Sequence, residues 1–139
     1  MTSNLTRTTE NGRVSELLGL GEEIDSSAAL VSQVAEGLPT ISVDKILGTM
    51  SAQPSINLVP ERALRQAKLK KIPLSPVKSQ ILYDFARAYV VADRIYDGNG
   101  ALVMRFLEKP NPAFDGAAPL SMAISSPAGA DAVIDLLEQ

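Results

Sequence analysis

Apolar side chains recur at steps of three and four residues along most of this chain, which is the spacing of helices with one apolar face. The clearest stretch runs from Ser75 to Gly98 and carries a continuous apolar seam. The seam consists of Ile81, Phe85, Ala88, Ala92 and Ile95. A second apolar stripe lies beside it, so this helix must be covered on more than one side. Because no alternating run is longer than residues 56–59, the sequence predicts an all-α protein built as a small helical bundle.

Capping residues and prolines predict where the helices begin. The predicted starts lie near Ser26 or Ser27, at Ser42, Pro60, Ser75 and Gly100, at Pro119, and at Ser126 followed by Pro127. Ser42 is predicted as an N-cap, and Pro54 must end the helix that follows it. Pro60 is predicted at the first helical position of the next helix, where its missing N–H matters least.

The first 25 residues lack a sustained helical pattern. Residues 1–12 are rich in Thr, Ser and Asn. Val14, Leu17 and Leu18 could form one amphipathic turn, which glycines at positions 19 and 21 would end; the pattern leaves open whether this turn docks. The sequence thus predicts a flexible tail over 1–25, a helical N-terminal domain over 26–73 and a helical C-terminal domain over 74–139.

A segment rich in prolines separates the long helix from the end of the chain and runs from Arg105 to Leu120. Prolines interrupt helices, glycine turns freely, and an asparagine side chain can fold back onto the local backbone. The predicted turn residues are Pro110, Asn111, Pro112, Gly116 and Pro119. We therefore expect an ordered turn here and not a slack linker.

Composition argues against most kinds of enzyme site. The chain contains no His and no Cys, which removes the usual zinc ligands and the Ser-His and Cys-His pairs. Ser75 and Lys78 have the spacing of a Ser-Lys nucleophile pair, but Ser75 is explained as a helix cap. We predict a protein that is not an enzyme, with no catalytic residue, no metal site and no cofactor.

No apolar run approaches the roughly 20 residues that span a bilayer. The first residues are polar and do not form a signal peptide. A chain without cysteine also suits a reducing compartment. We therefore expect a soluble protein of the cytoplasm with no membrane partner.

Two oppositely charged segments lie within a chain whose net charge is -3. Residues 61–72 hold five basic side chains and one acidic side chain, whereas residues 110–139 hold four acidic side chains and no basic one. The basic side chains are Arg62, Arg65, Lys68, Lys70 and Lys71. Such side chains on one helix neutralise phosphates. The sequence therefore predicts a polyanionic partner for one segment and a partner with basic groups for the other.

The string from Leu107 to Leu120 resembles the C-terminal toxin-binding domain of the MbcA/ParS/Xre antitoxins, and ParS-like antitoxins in particular. Leu74-Ser75 matches the opening of the family's long helix, and Gly129-Ala130 matches its last helix. That helix closes with an apolar pattern at Val133, Leu136 and Leu137. The resemblance extends from residue 74 to residue 139.

The resemblance implies an antitoxin of a type II toxin–antitoxin system. The implied partner is a toxin with a RES domain that uses NAD, as an ADP-ribosyltransferase or as an NAD glycohydrolase or phosphorylase. A homodimer through the long helix is expected, within a toxin–antitoxin heterotetramer or a larger assembly. The small residues Ala88 and Ala92 would permit close helix contact, and packing within the monomer explains them as well.

The resemblance also implies that residues 60–71 stand where a helix-turn-helix has its recognition helix, which would contact operator DNA. The nine residues from Ser51 to Val59 exceed the three or four that join the two helices of that motif. We therefore predict a degenerate helix-turn-helix-like N-terminal domain. A solvated basic face that binds no DNA remains an alternative.

The last helix is the predicted toxin contact. Asp131 and Asp135 are four residues apart and share one helix face, which suits a solvated surface or an acidic partner surface. The resemblance implies that the helix and the terminal carboxylate occupy arginines that would hold the phosphates of NAD. The predicted contact residues are Ala130, Asp131, Ile134, Asp135, Leu137, Glu138 and Gln139.

Two other functions stay open on the sequence alone. One is a DNA-binding transcriptional repressor whose C-terminal half only dimerises. That function needs a recognition helix that reads bases, which the long connection at 51–59 disfavours. The other is a small hydrolase with paired carboxylates, which the absence of His and the 4% aromatic content disfavour.

Overall fold

A computed structural model of the chain describes residues 2–21, 24, 26–50 and 58–139, with side chains from residue 10 onward apart from that of Met50. Within these ranges the chain contains eight α-helices, one short 3₁₀ helix and no strand, so the all-α prediction is confirmed. The helices are α1 (Thr2–Leu17), α2 (Ser27–Glu36), α3 (Ile41–Met50), α4 (Glu61–Lys70), α5 (Pro76–Ile95), α6 (Gly100–Glu108), α7 (Pro119–Ser125) and α8 (Pro127–Leu137). None of the described helices is long and apolar enough to cross a membrane.

The chain forms two compact units, Met1–Tyr83 and Asp84–Gln139, which we call the N-terminal unit and the C-terminal unit. The division lies inside α5, whereas the sequence predicts a boundary between residues 73 and 74. The capping Ser75 and Pro76 mark the start of a helix, and one long helix can supply side chains to two cores. Leu82 and Phe85 illustrate this, because both are fully buried and they lie on opposite sides of the division.

The end of α1 is part of the core of the N-terminal unit. Val14 and Leu18 are buried, and α1 contacts α2 and α3. The hydroxyl of Ser15 donates a hydrogen bond to the carbonyl of Gly21 at 2.7 Å. The structure differs here from the flexible tail predicted over 1–25. Two apolar side chains four residues apart give too weak a periodic pattern to stand out in sequence, but they suffice to seat a helix end against neighbouring helices.

The helix starts of the N-terminal unit match the prediction at α2 and differ at α3 and α4. Ser26 caps α2 and accepts a hydrogen bond from the N–H of Ala29 at 3.1 Å. The prediction of Ser42 as an N-cap is wrong, because α3 already begins at Ile41 and the Ser42 hydroxyl donates to the carbonyl of Leu18. Pro60 precedes α4 and does not begin it, a shift of one residue.

A buried hydrogen-bonded strip ties the segment after α2 to the start of α5 within the N-terminal unit. The N–H of Leu38 donates to Ser79 Oγ at 2.7 Å, and the N–H of Leu74 donates to the carbonyl of Leu38 at 2.9 Å. Gly37 has φ +104°, and a Cβ there would overlap the Leu74 carbonyl. Glycine is the residue that adopts this positive φ without strain and also leaves room for the Leu74 carbonyl. The connection predicted at 51–59 lies outside the described residues except for Leu58 and Val59, which are buried.

The C-terminal unit contains the last part of α5 together with α6, α7 and α8. Its core is mainly aliphatic and includes the buried rings of Phe85 and Tyr89, whose centroids lie 5.8 Å apart. The buried apolar residues include Ala88, Tyr89, Val91, Ala92, Val103, Leu107, Leu120, Ala130 and Val133. Packing inside the chain therefore uses the α5 residues that the sequence analysis considered for a homodimer contact.

Candidate functional site

The proline-rich segment between α6 and α7 is an ordered turn built around Asn111. Its side-chain Oδ1 accepts a hydrogen bond from the N–H of Ala113 at 2.9 Å. Its carbonyl accepts one from the N–H of Gly116 at 3.0 Å, and its own N–H donates to the carbonyl of Ala117 at 3.1 Å. Gly116 has φ +90°, a conformation that glycine adopts at no steric cost. These bonds close the chain on itself just before α7.

The prolines of this turn have separate positions. Pro112 begins the 3₁₀ helix Pro112–Phe114, and Pro119 begins α7 and is buried. Pro110 and Pro112 are exposed to solvent. The turn therefore presents a rigid proline surface on one side and starts a core helix on the other.

The start of α8 is defined by a cap and by a close approach to α7. Ser126 accepts a hydrogen bond from the N–H of Gly129 at 2.9 Å, and Pro127 occupies the first helical turn. A Cβ on Gly129 would overlap the carbonyl of Met122 and lie 2.8 Å from Ser125 Oγ. The absence of a side chain at position 129 is what allows α8 to lie directly on α7.

The seven predicted contact residues of α8 divide between the core and the surface. Ala130 and Leu137 are buried, together with Val133, and so support the helix from inside. Ile134 is half-buried, while the four polar members of the set are exposed. These four are Asp131, Asp135, Glu138 and Gln139.

Arg87 on α5 binds the beginning of α8. Its Nη1 donates to Asp131 Oδ1 at 2.7 Å, and its Nη2 donates to Asp84 Oδ1 at 2.9 Å and to the carbonyl of Pro127 at 3.4 Å. The Asp84 side chain is only 2% exposed. Burial alone would lower the pKa of Arg87, but the hydrogen bonds to Asp131 and then Asp84 outweigh it and raise that pKa. The guanidinium is therefore a permanent cation between two carboxylates.

Arg94 on α5 forms a second ion pair, at the end of α8. Its Nη2 donates to Glu138 Oε1 at 3.1 Å. Both side chains of this pair are more than a third exposed, so the pair contributes less than the one at Arg87. Asp131 and Glu138 thus have partners within the chain, whereas no described residue forms an ion pair with Asp135.

Arg87 and Arg94 are not among the site residues predicted from the sequence, although the spacing of charges indicates them. Arg87 and Arg94 are seven residues apart, and so are Asp131 and Glu138. Matched seven-residue spacings of opposite charge are typical of two helices that run side by side for two turns. The signal is weak because many pairs in a charged chain share such a spacing.

The five predicted DNA-contacting residues all lie at or just after α4 and are all exposed. Arg65 pairs with Glu61 at 3.1 Å, and Lys68 pairs with Asp44 of α3 at 3.3 Å. No described carboxylate pairs with Arg62, Lys70 or Lys71. Lys71 ends the helix in the left-handed conformation. The basic face therefore keeps three cations available and uses two in local ion pairs.

Comparison with known protein families finds a match for most of the C-terminal unit. Residues 91–139 match the antitoxin Xre/MbcA/ParS C-terminal toxin-binding domain. This part of the chain is similar to the toxin-binding domain of that antitoxin family. The match confirms the resemblance found in the sequence, and it includes Arg94, the proline turn, α7 and α8. A search among curated proteins found no match to the chain.

Within the described residues, no group of three or more His, Cys, Asp or Glu side chains is placed to hold a metal ion. Two ion pairs instead join α5 to the last helix segment, Arg87 with Asp131 and Arg94 with Glu138. Such an arrangement can recognise another protein by shape and charge.

Proposed function

We propose that this chain is the antitoxin of a type II toxin–antitoxin pair and that its C-terminal unit binds and inhibits the toxin. The observation that carries the proposal is the match of residues 91–139 to an antitoxin toxin-binding domain. The exposed acidic face of α8 supports it, because carboxylates on a supported helix can be presented to a basic partner at small entropic cost.

The proposed contact surface is narrower than the one predicted from the sequence. It consists of the half-buried Ile134 and Leu136 and the exposed Asp135 and Gln139. Ala130 and Leu137 are assigned to the support of the helix, because buried side chains cannot reach a partner. We refer to these four residues as the α8 contact strip.

The proposed toxin is a RES-domain enzyme that uses NAD, as an ADP-ribosyltransferase or as an NAD glycohydrolase or phosphorylase. Such an enzyme needs cationic groups to hold the phosphates of the dinucleotide. A carboxylate from the α8 contact strip would occupy those groups and exclude NAD. Inhibition would then follow from occupation of the substrate pocket. We place the complex in the bacterial cytoplasm.

The first experiment is co-production of the chain with the product of the adjacent reading frame, followed by size-exclusion chromatography and an NAD-consumption assay. We expect a stable complex that spares NAD and a separated partner that consumes it. Asp135→Asn should weaken the complex about 10- to 100-fold, the value of one charge-assisted hydrogen bond. Asp97→Asn, at another exposed carboxylate of the C-terminal unit, is the matched control and should leave affinity unchanged.

Deleting the last ten residues is a less informative test than these substitutions. The deletion would remove Ala130, Val133 and Leu137, all of which are buried. Loss of neutralisation could then reflect loss of the domain core. A chain that forms no complex with the adjacent product but binds upstream DNA tightly would instead be a repressor whose C-terminal half only dimerises.

We also propose that the N-terminal unit represses the operon of the pair through α4. Arg62, Lys70 and Lys71 are exposed and have no described carboxylate partner, which suits contact with DNA phosphates. Two antitoxin copies in a heterotetramer or a larger assembly would bring two such helices to one operator. A homodimer therefore belongs to the proposal, with its contact outside the buried residues of α5.

A further inference from the structure

We infer that Arg87 and Arg94 are positioning residues, which hold α8 on α5 in a single register so that Asp131 and Glu138 are used inside the chain and Asp135 is the carboxylate presented to the toxin. The inference rests on the proposed function and goes beyond it. It assigns a role in recognition to two arginines that do not belong to the contact strip.

The register follows from two ion pairs with the same offset. Arg87 pairs with Asp131 at 2.7 Å, and Arg94 pairs with Glu138 at 3.1 Å. In each helix the two members are seven residues apart, about 10 Å along the axis. Because residue numbers rise in the same direction in both pairs, α8 runs parallel to the last part of α5. A shift of α8 by one turn would break both pairs together.

Arg87 is the stronger of the two anchors. Its side chain is 22% exposed and contacts the buried Asp84 as well as Asp131. It also donates to the carbonyl of Pro127, in the first turn of α8. One planar guanidinium thus holds the start of α8 by its backbone and by a side chain. A lysine ammonium lacks the rigid fork that makes these contacts at once.

The pairing leaves one acidic group of α8 for a partner. Asp131 and Glu138 would lose their arginine contacts if they turned to a toxin, whereas Asp135 would lose no described ion pair. Asp135 lies between them on the helix, four residues after Asp131 and three before Glu138. A helix that is already in place loses less conformational freedom on binding than one that must be ordered. The arginines should therefore raise toxin affinity without touching the toxin.

The test is a double-mutant cycle of Arg87→Met and Asp135→Asn, with toxin affinity as the readout. The probe is the purified product of the adjacent reading frame, and titrations run at a temperature where circular dichroism shows every variant to be fully folded. We expect Arg87→Met alone to weaken binding about tenfold. In the protein that already carries Arg87→Met, the fold-change in toxin affinity caused by Asp135→Asn should be at least about threefold smaller than in the wild type. Arg105→Met, at an exposed arginine of α6, is the matched control and should change neither value.

A purely structural role predicts a different result. Two residues without contact, one of which only stabilises the fold, have additive effects on binding once all variants are folded. Additive effects would therefore overturn the inference. Arg87→Met with unchanged toxin affinity would overturn it as well.

A charge exchange at the second anchor keeps the inference testable if Arg87→Met fails to fold. Arg94→Glu alone should weaken toxin binding, and Arg94→Glu combined with Glu138→Arg should restore it to within about threefold of the wild-type value. Failure of the exchange to restore binding, with both proteins folded, would contradict a positioning role. It would also indicate that Glu138 itself faces the toxin.

Failure of this inference can be distinguished from failure of the proposed function. If Asp135→Asn weakens the complex while the cycle is additive, the chain is still an antitoxin and only the role of the arginines is wrong. If the adjacent product forms no complex with the wild-type chain, the proposed function fails and the inference fails with it.

Discussion

Gly129 lies where α8 approaches α7 too closely for a side chain. A Cβ there would overlap the carbonyl of Met122 and crowd Ser125 Oγ. Both neighbours are held in place, since Ser125 Oγ donates to that same carbonyl at 2.8 Å. The glycine is buried and lies in the first turn of a helix, where its low helix propensity is otherwise a disadvantage. Close packing is therefore the reason for its presence.

We expect Gly129→Ala to destabilise the protein by about 1–3 kcal/mol, because the added methyl group forces the two helices apart. Urea denaturation followed by circular dichroism measures this change. Gly48→Ala is the matched control, because Gly48 is also helical and a Cβ there meets nothing within 4 Å. The control should be neutral or stabilising by up to about 1 kcal/mol. Equal stability of the Gly129 variant and the wild type would refute the close approach.

The phenol of Tyr89 makes the stability of the C-terminal unit depend on pH in the alkaline range. Burial, and secondly the charge of Asp93, raise the pKa of its phenol above the ordinary value. The folded state thus favours the neutral phenol, and the unfolded chain releases the proton at lower pH. The corresponding stability is fully present below the unfolded pKa, about 10, and is lost as pH rises through the folded pKa.

We therefore expect the free energy of unfolding to fall more steeply above about pH 10 in the wild type than in Tyr89→Phe. Urea titrations at a series of pH values from neutral to alkaline give both curves. The two proteins should have nearly parallel curves below that range, because the phenol is neutral in both states there. Parallel curves above it would show that Tyr89 does not titrate differently on unfolding.

At the scale of whole elements, the two ends of the chain differ in how their helices are held. The end of α1 is attached by the buried side chains of Val14 and Leu18 and by a hydrogen bond from the Ser42 hydroxyl to the carbonyl of Leu18. By contrast, α8 is attached by a buried apolar face and by paired arginines on α5. Added salt screens the exposed ion pair at Arg94 and weakens it, whereas it does not screen apolar contacts.

The attachment of α1 can be tested with a pair of identical substitutions. Val14 is 4% exposed, and Val31 on α2 is 56% exposed. We expect Val14→Ala to cost roughly 2 kcal/mol of stability, because it removes buried methyl groups and leaves a void. Val31→Ala should change stability by less than about 0.5 kcal/mol. Equal effects at the two positions would mean that α1 is not docked and that the predicted tail describes it better.

At the scale of the whole molecule, the most basic segment and the most acidic segment of the chain lie in different units. The basic face of α4 belongs to the N-terminal unit, and the carboxylates of α8 belong to the C-terminal unit. A net charge of -3 hides this division. Two partners of opposite charge can therefore be recognised by different parts of one small protein.

DNA binding by α4 should be visible in its salt dependence. We expect Lys71→Ala and Arg62→Ala each to reduce the slope of log K against log salt by about 0.9, the value for one phosphate contact on duplex DNA. Lys109→Ala, at an exposed lysine of the C-terminal unit, is the control and should leave the slope unchanged. Titrations of the upstream DNA fragment at several salt concentrations supply the slopes. Unaltered slopes in both α4 variants would mean that α4 does not bind DNA phosphates.

The sequence alone was sufficient for features whose causes lie within a few residues. The side chains of three capping residues each accept a hydrogen bond from the N–H three residues later in the chain; these residues are Ser26, Asn99 and Ser126. Prolines likewise restrict the backbone wherever they stand. Helix starts, the all-α class and the resemblance to a toxin-binding domain could therefore be predicted. The failure at Ser42 shows the limit, because its hydroxyl donates to Leu18, a residue of another segment.

Only the tertiary structure decided which side chains of α8 are internal and which face outward. Arg87 and Asp131 are 44 residues apart, and their pairing depends on how α8 packs against α5. The packing of α8 buries Ala130 and Leu137, and its close approach to α7 excludes a side chain at Gly129. Asp135 is left without an ion pair among the described residues. A periodic pattern shows that a helix has an apolar face, but its partner and register depend on the shapes of surfaces that exist only after folding.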